Sequence, residues 1–158
     1  MRVLGIDPGS RNLGWGIVDW QGSRLSHVAS GTLSCKKACL IARVRQLVDA
    51  LEQRVAAHAP VAVGIETAFA GDNVHSALVL GQARGAVLLA MARAGLDIGE
   101  YAPATIKAAV TGTGRADKQQ VQHMVRMLLG IGPGPLGLDT TDALAVAICH
   151  AHSAGGRR

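Results

Sequence analysis

Apolar residues open the chain in short runs. Val3 to Asp7 reads as a buried strand stopped by Pro8-Gly9, and Leu13 to Trp20 and Leu25 to Leu33 read as two more, turned by Gln21-Gly22-Ser23. Short connections favour antiparallel neighbours, so three strands form an opening meander. From Leu40 to His58 the period changes. Leu40, Val44, Leu47, Leu51 and Val55 recur every three or four residues, which predicts an amphipathic helix. Pro60 ends it, and Val61 to Glu66 follows as a buried strand finishing on a carboxylate. Ala68 to Asn73 is a loop of mostly small residues. His75 to Ala94 predicts a second long helix, with Gly81 and Gly85 on one face to permit close packing.

Asp97 to Ala102 reads as a fifth strand, and Pro103 sits where a helix tolerates a missing N–H. Thr111 to Ala116 is a loop. Lys118 to Leu129 predicts a helix with Val121, Met124, Val125 and Leu128 on one side. Gly130 to Leu138, with four Gly and two Pro, is a loop before a last helix over Asp139 to His152. The expected architecture is α/β: one domain over residues 1–152, a five-stranded mixed sheet with helices on both faces. Residues 153–158 are expected to be a flexible basic tail.

Composition narrows the class. Of 158 residues 49% are apolar and 17% charged, which excludes a disordered chain. Trp15, Trp20, Phe69 and Tyr101 are the whole aromatic supply, so the core must be aliphatic and packed with Ala and Gly. A net charge of +5 favours a polyanionic partner. The chain reaches Asp7 at once, with no signal-like apolar region. Its longest apolar run, Gly85 to Ala92, falls short of the ~20 residues that cross a bilayer, so no membrane role is expected. Three cysteines, an odd number, argue against a disulfide framework and for the cytoplasm. Cys35-x-x-x-Cys39 with His150 and His152 matches no usual zinc spacing.

Four acids stand out. Asp7 and Glu66 each close an interior strand, where α/β sheets place their ligands. Asp139 and Asp142, three apart, project from one side of the start of the last helix. Asp7-Pro8-Gly9 is also an ordinary turn sequence, and Asp139-x-x-Asp142 an ordinary helix start; capping and ligation are compatible. If the first and fourth strands are neighbours and the last helix crosses their ends, the four carboxylates converge. They would repel one another unless cations lay between them. Hard oxygen ligands select Mg²⁺ or Mn²⁺, and a pair of such ions is the usual apparatus for in-line attack on a phosphodiester. The other seven acids face 16 basic residues, so an acidic pit lies in a basic surface. Lys107, Lys118, Arg84 and Arg115 are candidate phosphate grips. Phe69, the only Phe, lies three residues past Glu66, where it can stack on an unpaired base or anchor its loop in the core.

At these residues the chain resembles the RuvC family of Holliday-junction resolvases. The resemblance is carried by Gly5-Ile6-Asp7-Pro8-Gly9-Ser10-Arg11, by Ile65-Glu66 with Phe69, and by Ser76-Ala77-Leu78 leading to Leu80-Gly81-Gln82-Ala83-Arg84-Gly85. Lys118, Val121-Gln122-His123-Met124-Val125 and Asp139-x-x-Asp142-Ala143-Leu144-Ala145 complete it. It implies a ribonuclease H-like fold and a homodimer that nicks symmetrically related strands of a four-way DNA junction, leaving ligatable 5′-phosphates. It implies two Mg²⁺ or Mn²⁺ ions per site and cooperation with the RuvA–RuvB branch-migration complex. Asp7, Glu66, Asp139 and Asp142 fall on its catalytic carboxylates, Phe69 on its stacking aromatic, and Lys107 and Lys118 on its basic functional positions. Asp72 departs from the pattern, an acid where relatives tend to be basic. The competing classes are an actin-like phosphotransferase, which needs two lobes, and a non-catalytic junction binder, against which the four acids speak.

Overall fold

In a computed structural model, which describes residues 1–67 and 73–155, the expected order of elements is present. Strands β1 (Arg2–Asp7), β2 (Asn12–Gln21) and β3 (Arg24–Ser34) precede helix α1 (Leu40–His58). Then come β4 (Ala62–Glu66), α2 (Val74–Arg93), β5 (Asp97–Tyr101), α3 (Pro103–Thr111), α4 (Lys118–Leu129) and α5 (Leu138–Gly155). The sheet runs β3-β2-β1-β4-β5. The first three strands are antiparallel neighbours; β1–β4 and β4–β5 are parallel. The hairpin turn needs Gly22 at φ 61°, a conformation that costs glycine nothing.

Strand alternation divides the core. Leu4, Ile6, Leu13, Trp15, Ile17, Val63 and Ile65 face Leu47 and Leu51 of α1 and Val87 and Met91 of α2. Val3 and Val18 face the other way, onto Leu144, Val146 and Ile148 of α5 and the apolar sides of α3 and α4. Between them on that second face lies a row of bare backbone. Gly16, Gly5, Gly64 and Gly99 are paired across four adjacent strands. A Cβ on Gly5 would fall 2.0 Å from the Ala143 carbonyl oxygen, and one on Gly14 2.0 Å from that of Asp139. Helix α5, rich in small residues, therefore lies directly on the sheet.

Three expectations change. Gly81 and Gly85 of α2 do not mediate close packing: both are exposed, and a Cβ on either meets nothing within 4 Å. The close-packing glycines are those beneath α5, because alternation along a strand, not helical spacing, determines which backbone is covered. Helix α5 continues to Gly155, since Ser153 returns its hydroxyl to the Cys149 carbonyl at 2.9 Å; residues 156–158 lie outside the described residues. Helix α2, with 20 residues at mean hydropathy 1.3, is long and apolar enough by length and composition to cross a membrane. Here it rests on the core through Ala83, Val87, Ala90 and Met91. Cys35 and Cys149 are buried and Cys39 exposed, all free.

Candidate active site

Period-two alternation puts Gly5 and Asp7 of β1 on the α5 face, and Gly64 and Glu66 of β4 beside them. The register Gly5–Gly64 and Ile6–Ile65 makes Asp7 and Glu66 the next residues at adjoining strand ends. The glycine row brings the first turn of α5 down to that edge, and with it Asp139 and Asp142. The loop entering α5 is held from α4. Arg126 donates to the carbonyls of Gly132 (2.7 Å) and Gly134 (2.6 Å), and the Gln122 amide to that of Leu136 (3.0 Å). Gly137 takes the Thr141 N–H and hydroxyl on its carbonyl.

The result is a cavity of about 420 Å³ lined by Asp7, Glu66 and Asp142 with Lys107, Lys118 and the apolar Leu80, Ile106 and Val121. Asp139 does not line it, but its charge acts on both Asp7 and Asp142. Burial and the carboxylates of Glu66, Asp142 and Asp139 push Asp7 up to about 7, with Lys118 opposing. Glu66 is raised by burial and Asp142, and Asp142 by burial and Asp139; Lys107 and Lys118 pull both back. These acids are short of positive charge, and hard carboxylate oxygens suit a divalent cation. Among the described residues no three His, Cys, Asp or Glu gather closely enough to hold an ion by side chains alone.

The basic candidates separate. Lys118 is the first residue of α4, set by a capping box in which Asp117 and Gln120 exchange bonds with each other's backbone N–H. Lys107 rides on α3, whose last turn is tied by the Thr111 hydroxyl to the Lys107 carbonyl. Arg115 is exposed in the loop between them. Arg84 is placed differently from a free phosphate grip: it pairs with Glu100 of β5 and donates from Nε to the Glu66 carbonyl at 3.4 Å. Thr67 bonds the Tyr101 carbonyl through both its N–H and its hydroxyl, so the end of β4 is clamped on two sides. The capping box was missed in the sequence, although the Asp117-x-x-Gln120 spacing is the signal that marks it; nothing local marks the Arg84–Glu100 pair. Phe69 and Asp72 lie outside the described residues.

The sheet is mixed and five-stranded, with Asp7 and Glu66 at its central strand ends and Asp139 and Asp142 on the helix laid across them. A family model described as "Crossover junction endodeoxyribonuclease RuvC" matches residues 3–150. The crossover junction endodeoxyribonuclease RuvC of Paracoccus denitrificans is 48% identical over 99% of this chain and 95% of its own. The solved structure of Thermus thermophilus RuvC in complex with Holliday junction substrate has a TM-score of 0.91 at 33% identity, covering 98% of this chain and 94% of that one. The yeast mitochondrial Holliday junction resolvase, 13% identical at a TM-score of 0.68, shares the fold. The chain belongs to the RuvC family of crossover junction endodeoxyribonucleases.

Proposed function

We infer that the protein resolves four-way DNA junctions during recombination and repair by metal-dependent hydrolysis of symmetric phosphodiesters, leaving 5′-phosphate ends. The observation that carries this is the meeting of Asp7, Glu66 and Asp142 in one cavity with two lysines, and Asp139 beside them. Asp7, Glu66, Asp139 and Asp142 would hold two Mg²⁺ or Mn²⁺ ions. Bound there, such ions supply the Lewis acidity that activates water and steadies the leaving oxygen. The chain's own residues do the rest. Glycine-seated α5 fixes the spacing of the acids, and the apolar wall of Leu80, Ile106 and Val121 limits bulk water. Lys107 and Lys118 offset carboxylate charge and offer donors to a phosphate. Arg115 is assigned to the backbone beyond the cavity and Phe69 to stacking on an unpaired base. Arg84, paired with Glu100, braces the Glu66 carbonyl and keeps further N–H donors for a phosphate.

Two cuts call for two copies. Helices α1 and α2 leave an apolar groove of about 660 Å³ outside the core, with Ile41 and Leu89 at its edge and Arg45, Asp49, Glu52 and Arg93 around it. Both charge signs rim the same apolar strip, which makes it complementary to itself, as a two-fold contact requires. Homodimerisation through this face, operation beside RuvA–RuvB and a cytoplasmic setting belong to this reading.

A nicking assay on a synthetic four-way junction beside a linear duplex, with Mg²⁺, Mn²⁺ or chelator, tests it. Paired nicks at symmetric positions, on the junction alone and only with cation, are expected. Equal cutting of duplex, or cutting in chelator, removes the assignment; unpaired single nicks remove the homodimer. Lys118→Ala is expected to slow single-turnover cutting by roughly 10- to 100-fold. Its rise with pH should move to higher pH, because three carboxyls lose the cation that favours their ionised form. An unchanged rate and profile would leave Lys118 without a role.

A further inference from the structure

A second basic surface lies at the same edge of the sheet, on the far flank from Lys107 and Lys118. Arg43 of α1 is only 7% exposed, and its guanidinium has no carboxylate partner among the described residues. It donates instead to three carbonyls: Ser10 at 3.1 Å, Lys37 at 3.0 Å and Ala38 at 2.7 Å. Ser10 belongs to the loop leaving β1 after Asp7; Lys37 and Ala38 belong to the loop leaving β3. A further bond ties the two loops, from the Cys35 N–H to the Arg11 carbonyl (2.9 Å), and beside it the paired strand ends are joined by the Ser34 hydroxyl donating to the Asn12 amide oxygen (2.9 Å). A buried cation satisfied only by main chain fixes the loops without neutralising them. Arg11, Lys36 and Lys37 stand exposed on the shelf so formed, and no Asp or Glu occurs anywhere from residue 20 to residue 48.

We propose that Arg11, Lys36 and Lys37, on loops locked together by Arg43, form a track for the phosphate backbone of a duplex arm leaving the cavity on the β3 side. This rests on the junction-cutting function and adds to it a binding surface that the cavity's acids do not supply. Strands β1 and β3 lie two places apart, about 10 Å, so the track meets phosphates about three or more base pairs from the one at Asp7. Bonds to phosphate position the duplex without reading its sequence. The track therefore contributes affinity and orientation, and leaves the chemical step to the acids.

The test is binding of a synthetic four-way junction in chelator across a salt series, with wild type, Lys36→Ala/Lys37→Ala and Arg11→Ala. The double variant should bind on the order of tenfold more weakly at 0.1 M salt, and its log–log salt slope should fall by about 0.9 for each phosphate left without its cation. Single-turnover cutting at saturating protein should be unchanged. Uncharged methylphosphonates in place of phosphates three to six positions from the cut should weaken wild type but add little to the double variant. Wild-type affinity and slope in the variants, or equal weakening of wild type and variant by methylphosphonates, would overturn the track. A wild-type protein that neither binds nor nicks the junction would overturn the function itself, a result read without any variant.

Discussion

Asp7→Asn will abolish junction cutting and at the same time make the cation-free protein more resistant to heat at pH 8. Both follow from one fact: Asp7 is held among other acids where burial and their charge raise it from its ordinary 3.8 to about 7. Between those two values the unfolded chain has released the proton while the folded chain still keeps it. Raising pH through that window therefore favours unfolding. The penalty is absent below 3.8 and complete above about 7, and Glu66 and Asp142, raised for the same reason, add to it. Asn keeps the shape and removes the charge. In thermal melts with chelator, the variant's advantage should be clear at pH 8 and shrink toward pH 5, and Mg²⁺ or Mn²⁺ should raise the wild-type Tm far more than the variant's. A variant that cuts at the wild-type rate, or melts below wild type at pH 8 in chelator, would show that the acids neither cooperate nor repel as the cavity requires.

Gly5→Ala is expected to be as severe by a different route. Its new methyl would meet the Ala143 carbonyl oxygen at 2.0 Å and the Ala147 nitrogen at 2.5 Å, both backbone, so α5 must lift. Overpacking of this kind costs roughly 3 kcal/mol, and displacement of Asp139 and Asp142 by about 1 Å would slow cutting by about 100-fold. Gly14→Ala, 2.0 Å from the Asp139 carbonyl oxygen, belongs with it. Gly64→Ala meets its nearest atoms at 3.0 Å, two of the three being side chains of His150 and Val146, and should be clearly milder. Urea melts and single-turnover rates of the three variants check the order. Equal effects at Gly64 and Gly5 would mean that the helix does not rest on backbone where the distances place it.

Much of this was legible in the amino-acid order. Period and punctuation place the strand ends at Asp7 and Glu66, and the change of period marks α1 and α4 at their observed limits. Glu66 is recognisable because a carboxylate ending an apolar strand has few structural excuses, whereas Asp7, Asp139 and Asp142 also suit a turn and a helix start and gain meaning only jointly. What the order hides is the meeting of distant segments. Gly5, Gly14 and Gly64 look like weak points in strands until the helix above them is known, whereas Gly81 and Gly85 look like packing glycines and face open space. Arg84 reads as a phosphate grip and Arg43 as a polar position of α1; the first pairs with Glu100 and the second donates to three carbonyls, partners up to 33 residues away. Phe69 rests on its position in the sequence alone.

The link from Arg84 to the Glu66 carbonyl has a mechanical meaning. Helix α2 carries Leu89 on its outer side and Arg84 on its inner side, so one rigid rod touches both the groove and the end of β4. A push on the outer side is not absorbed by a loop on the way inward. It arrives through the Arg84 guanidinium at the peptide unit that bears one of the cavity's acids, and through Leu80 at the cavity wall.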